Sequence, residues 1–281
     1  MLRWRVLVIL VSLIFAAALE SASAFGLFAF KPSDGEVWTA GFRAFVSRTG
    51  MRDDLILQAG FAGSASEFAL VVPVPTKPNI GYADAGIFDE LYRIVHPKII
   101  PGADTPPNTS SSPKPIRLEN IAVIQPSQPE ALVMWLQSKG CRVQSEAQRI
   151  IQEYANKGFY FVVATVSVVP KPEARWLSPV IISFESDKAL LPMRLLALNG
   201  RSIPSQVFVS TSVRVSADGL AEYGSAGSPT RSPYRLNEFP MFFQFVRTNT
   251  MVTELRGLID PGAVTADVYF KPNKQKPASG G

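Results

Sequence analysis

Histidine and cysteine are almost missing from this 281-residue chain: His96 and Cys141 are the only two. A single cysteine makes an internal disulfide impossible, so packing has to supply the stability. One residue of each kind also rules out a zinc site built from several Cys and His ligands of one chain. A Ser-His-Asp triad would have to be built around His96. Charged residues make up only 18% of the chain, and the formal net charge is +5. That excess forms no basic stripe with interleaved aromatics, so nucleic-acid recognition is not expected. Gly-rich strand-to-helix turns and the Gly-x-Ser-x-Gly elbow are missing too. Phosphate-loop and dinucleotide sites, and an α/β-hydrolase nucleophile, are therefore not expected.

What is present in quantity is apolar. Hydrophobic residues are 47% of the chain, enough for a real core and incompatible with general disorder. Arg3 and Arg5 precede an apolar run over residues 6–19, interrupted only by Ser12, and Ala22, Ser23 and Ala24 follow. A basic start, a short greasy run and a small-x-small site are the three parts of a cleavable export signal. The run is shorter than the ~20 apolar residues of a spanning helix. The expected cut follows Ala24, which leaves residues 25–281 as a periplasmic or secreted protein without a transmembrane span. Loss of Arg3, Arg5 and Glu20 lowers the net charge by one.

Along the mature part, β-branched and aromatic residues over 37–46 and 54–59, joined by a turn at 48–51, predict a hairpin. Residues 67–74 read as a third strand closed by Pro73 and Pro75, since proline cannot donate to a ladder. Ile87, Phe88, Leu91, Ile94 and Val95 share one face of a helix over 84–96, ended by Pro97. Residues 101–116 are rich in Pro, Ser and Thr and read as a linker, which leaves open two lobes within one domain over 25–270. Ser127 with Glu130, and Ser145 with Gln148, have capping-box spacing, so a helix pair is expected over 127–158, with stops at Gly140 and Gly158. Residues 159–169 predict a strand buried on both sides. Further strands are expected at 118–124, 180–184, 193–198, 207–215, 251–259 and 264–270. Residues 216–233 read as a loop, and the aromatic stretch 239–246 fits helix or strand. The basic segment 271–281 is expected to be a disordered tail. Helices cluster and strands outnumber them, which argues for an α+β fold with mainly antiparallel sheets.

Four segments carry a family resemblance: Glu67 to Pro75; Ile87 to Tyr92 with Pro97; Trp135, Leu136, Gly140, Tyr154 and Gly158 to Val163; and Leu177 to Val180 followed by Phe184 to Asp187 and Leu191 to Leu195. Thr253 to Arg256 and Asp267 to Phe270 fit as well. Together they resemble a bacterial family of exported proteins designated domain of unknown function, number 2330. The resemblance implies export and one compact domain, and it implies no particular activity. Family members often carry cysteines just after the signal. Phe25, Gly26, Leu27 and Phe28 lack them, so a redox role there is not expected.

The candidate binding residues are Glu67, Glu185, Asp187 and Arg194. Carboxylates at strand ends could perform acid-base work or bind Ca²⁺ if the fold unites them, and otherwise serve turns and solvation. Arg194 calls for a carboxylate partner, with Glu185 or Asp187 the candidates. His96 sits where a helix C-terminus favours a cation. Cys141 reads as a small residue packed between two helices. No cofactor and no metal site is expected. Two functions follow: a non-catalytic envelope module that binds a protein or ligand, or a carboxylate-dependent hydrolase or Ca²⁺-dependent protein using Glu67, Glu185 and Asp187.

Overall fold

The computed structural model describes residues 28–97, 114–127, 129–230, 232–247 and 249–273. The expected leader, residues 1–24, lies outside them, as do residues 101–113 of the expected linker.

In chain order the elements are β1 (Phe28–Phe30), β2 (Val37–Thr49), β3 (Arg52–Gly63), β4 (Glu67–Val74), β5 (Asn79–Tyr82), α1 (Ile87–Val95), β6 (Glu119–Ile124), α2 (Pro129–Ser138), α3 (Ser145–Asn156), β7 (Tyr160–Ser167) and β8 (Lys171–Trp176). There follow β9 (Val180–Glu185), β10 (Leu190–Leu191), β11 (Ile203–Thr211), β12 (Val215–Ser216), β13 (Ala221–Gly227), α4 (Pro233–Glu238), α5 (Phe242–Phe245), β14 (Met251–Ile259), β15 (Val268–Tyr269) and β16 (Lys271–Pro272).

Two sheets carry the fold. The smaller has the order β1-β4-β7-β6, and the larger β13-β14-β11-β2-β3-β9-β5, with β8 paired to the far end of β3. Every named pair is antiparallel except β2 with β11. Strand alternation then assigns each face its role. Phe68, Leu70, Val72 and Val74 of β4 point inward against Phe42, Ala44, Val46, Leu55 and Leu57 of β2 and β3, forming the core between the sheets. Ala69 and Val71 point the other way and meet Leu132 and Leu136 of α2 and Ile150, Ile151 and Tyr154 of α3. On the outer face of the large sheet, Phe45, Ile56, Phe208 and Val252 meet Ile87, Phe88 and Leu91 of α1 and Phe242 of α5. The layers therefore run helices, sheet, sheet, helices. Phe45, Phe208 and Phe242 are fully buried, and each such side chain contributes about 1.5–3 kcal/mol over exposure. Residues on both sides of segment 98–113 share the central core.

The α+β reading with mainly antiparallel sheets fits, but there are more helices than a pair plus one. The 239–246 stretch resolves as helix α5, and α4 precedes it. Residues 193–198 are not a strand. Arg194–Leu198 is a 3-10 helix, because the carboxylate of Asp267 accepts hydrogen bonds from the Met193 and Arg194 backbone N–H groups at 2.9 and 3.1 Å and starts the turn there. Within the expected 216–233 loop, β13 pairs along β14. Only Val268–Tyr269 of the expected 264–270 strand is strand, preceded by the 3-10 turn Pro261–Ala263. Ser145 does not cap α3. Gln144 is the N-cap, and the Gln148 amide donates back to the Val143 carbonyl at 3.1 Å. The chain stays ordered past Lys271, since β16 pairs with β12. At the end of the expected linker, Ile116 bridges Leu177.

Candidate functional site

Two rows of side chains cross the outer face of the large sheet. The first runs Ile56, Phe45, Phe208 and Glu254, each directly opposite the next in register. Its aromatic members lie under α1 and α5. The second, two residues further along the strands, runs Gln58, Arg43, Gln206 and Arg256. Directly opposed residues point to the same face. The sheet thus changes from apolar to polar where the helical cover stops.

Glu254 is the hub of the two rows and has no exposed surface. A buried carboxylate is tolerated only when its lone pairs are filled. Gln206 Nε2 donates to Oε1 at 2.7 Å, Arg256 Nε donates to Oε1 at 2.6 Å, and His96 Nε2 lies 2.5 Å from Oε2. The carboxylate has only acceptors to offer, so Nε2 carries the hydrogen of that contact. His96 closes α1, its backbone N–H donating to the Tyr92 carbonyl at 2.8 Å. Its ring sits between Tyr92 and Tyr223, with centroids 4.5 and 5.6 Å away. The expected helix-end placement holds, and the contact with Glu254 adds what spacing could not reveal.

Arg43 lies over the Trp176 ring, 5.2 Å from its centroid. Trp176 in turn lies on Gly60 and Gly41. A Cβ at Gly60 would come within 3.3 Å of the indole and press it outward, so glycine lets the ring approach the sheet closely. Burial lowers the Arg43 guanidinium from its ordinary value; Asp89 opposes this, and Arg256 adds to it. On the other flank, the Arg256 guanidinium is 3.7 Å from the Tyr223 centroid and 5.7 Å from that of Tyr92.

The residues singled out by sequence are dispersed. Glu67 lines a cleft with Lys31, Glu119 and Lys139. Glu185 and Asp187 line a different one with Thr76, Lys188 and Tyr269. Arg194 pairs with Glu153 of α3 instead of Glu185 or Asp187. Among the described residues no three His, Cys, Asp or Glu side chains are grouped to hold a metal ion. No helix among them is long and apolar enough to cross a membrane. The sequence reading passed over Glu254, Arg43 and Asp53. Asp53 is fully buried, takes two hydrogen bonds from Arg48 at 3.0 and 3.1 Å, and is pushed up by burial to about 7. A charged residue inside an otherwise apolar strand is the one signal available for each. A separate, mainly apolar cleft of about 530 Å³ opens between Asp218, Leu220, Ile259 and Val264.

No curated protein matches this chain. Among solved structures, the crystal structure of baculovirus P35 aligns over 85% of this chain and 94% of its own, at 7% identity and a TM-score of 0.39. A family profile matches residues 21–123 and 116–228, which together span most of the chain. The chain belongs to the family described as uncharacterized protein conserved in bacteria, DUF2330.

Proposed function

We propose that residues 25–281 form a non-catalytic binding module of the bacterial envelope, periplasmic or secreted, acting on a protein or ligand displayed there. The observation that carries the reading is the row of Arg43, Gln206 and Arg256 on the outer face of the large sheet, which offers hydrogen-bond donors to a ligand and no nucleophile. Nε2 of His96 faces Glu254, whose carboxylate has no exposed surface, and the ring is packed between two tyrosines. That nitrogen is committed to the buried carboxylate of Glu254. The hydrolase alternative calls for two of Glu67, Glu185 and Asp187 in one open pocket; Glu185 and Asp187 share a cleft, and Glu67 lines another. The leader at residues 6–24 supports the compartment.

The test is co-sedimentation of purified 25–281 protein with bacterial envelopes, alongside assays for released hydrolysis products. Saturable retention without product is the expected result. Product formation that disappears in Glu185→Gln would overturn the reading and favour the hydrolase. Localisation is checked separately by fractionation, with the processed chain expected outside the cytoplasm.

A further inference from the structure

The uncovered part of the large sheet holds two guanidinium groups on strands separated by one neighbour. Arg43 of β2 and Arg256 of β14 both lie directly opposite Gln206 of β11. With strands about 4.8 Å apart, their backbone positions are roughly 10 Å from each other. Arg43 is half-buried and lies over the Trp176 ring, with no ion pair or hydrogen bond at contact distance among the described residues; Asp89 acts on it only from further away. A cation removed from water without a carboxylate partner is unfavourable. No carboxylate among the described residues contacts the Arg43 guanidinium directly, so an anion could take that place. Arg256 uses its Nε–H on Glu254, which leaves four further N–H donors of its guanidinium without a partner among the described residues. Gln206 likewise uses one amide N–H on Glu254 and keeps its other N–H and its carbonyl oxygen.

Two acidic groups bear on this row. Glu254 lies beneath it and is ion-paired with Arg256 through Nε, and Asp89 of α1 acts on Arg43 from the covered side. The outward side presents cations and amide groups. It also presents an aromatic ring at one end, Tyr223, 55% exposed. A small inorganic anion would use the guanidinium groups and leave that ring idle. A sugar ring has an apolar C–H face that stacks on an aromatic ring and hydroxyls that pair with an amide.

We propose that Arg43, Gln206 and Arg256 form a binding site for an acidic saccharide, whose carboxylate or phosphate groups engage the two guanidinium groups while a sugar ring face stacks on Tyr223. The proposal rests on the reading that this protein binds and does not catalyse, and it names what is bound.

Titration calorimetry of the 25–281 protein tests it, with oligogalacturonate, a neutral maltooligosaccharide and tripolyphosphate as probes. Oligogalacturonate is expected to bind, more weakly as salt rises, and the neutral chain is not. A phosphorylated oligosaccharide run in parallel distinguishes phosphate from carboxylate as the preferred charge. Arg43→Gln should weaken binding about tenfold or more, with Arg43→Lys intermediate because it keeps the charge and loses the fork. Tyr223→Ala should weaken the saccharide by a larger factor than tripolyphosphate. Unchanged melting curves for the Arg43 variants show that folding is not the cause. Tight binding of tripolyphosphate alone would overturn the saccharide assignment. Failure of every acidic probe, while envelopes still retain the protein, would overturn this site and leave the binding function standing.

Discussion

Gly224 and His96 touch so closely that no side chain fits at residue 224. A Cβ there would lie 2.9 Å from His96 Cε1 and 2.7 Å from Val95 Cγ1. Gly224 is also opposite Glu254 in the β13–β14 ladder, beside a register shift. Glycine here lets the end of α1 settle on the sheet and brings the imidazole to the carboxylate.

Gly224→Ala should therefore push α1 away and loosen the His96–Glu254 contact. Overpacking of this kind costs about 1–3 kcal/mol. Urea unfolding monitored by tryptophan fluorescence measures it, and wild-type stability in the variant would refute the close fit.

Asn199 serves as a substitute for a missing piece of ladder. It is fully buried; its Oδ1 accepts from the Thr39 N–H at 2.7 Å, and its Nδ2 donates to the carbonyls of Thr39 and Arg201 at 3.1 and 2.9 Å. Thr39 lies where the β2–β3 register shifts. Asn199→Leu leaves those backbone groups buried and unmet, which should cost about 2–3 kcal/mol or more. A change below that of a typical surface substitution would show that the loop relaxes instead.

Asp53 makes stability depend on pH with a sign opposite to that of most carboxylates. Its ordinary value is 3.8 and burial raises it to about 7, with the nearby Arg48 opposing. Between those values the folded state holds a proton that the unfolded state has released. Its contribution to stability is therefore present at low pH and is lost as pH rises through about 7. In Asp53→Asn, the plot of unfolding free energy against pH should lose that downward slope, whatever the variant's absolute stability. An identical slope would assign the pH dependence elsewhere.

Cys141 should be chemically silent while the protein is folded. It is buried, and burial raises its thiol to about 11. Only the thiolate reacts quickly. A thiol reagent at pH 8 should label it slowly in the native protein and rapidly in denaturant. Fast native labelling would mean that the α2–α3 turn opens.

Local signals made much of this architecture legible. The β2–β3 hairpin, the apolar face of α1 and the glycine stops of α2 and α3 depend on residues a few positions apart. Positive φ at Gly140 and Gly158, 75° and 79°, is what a helix stop requires. Misreadings arose where a distant group decided the local outcome. The Arg194 turn is set by Asp267, 73 residues later, and apolar residues alone read there as a strand. Strand β13 is mostly small and polar, so nothing but its pairing with β14 reveals it. The candidate site suffered most. Its central pair, His96 and Glu254, is separated by 158 residues, and Arg43, Gln206 and Arg256 align only once three strands are in register.

The same-direction ladder between β2 and β11 has a consequence for how the molecule assembles. The hairpin formed by β2 and β3 needs only a tight turn. Joining Arg43 to Gln206 means closing a loop on the order of 160 residues, which is slow because that entropy is lost before the contacts form. Until residue 211 has been delivered, β2 presents a bare row of amide and carbonyl groups next to Phe45 and Val46, the type of edge that recruits other chains. A chain delivered amino-terminus first passes through that state, and a chaperone that covers the β2 edge until β11 arrives should raise the yield of folded protein.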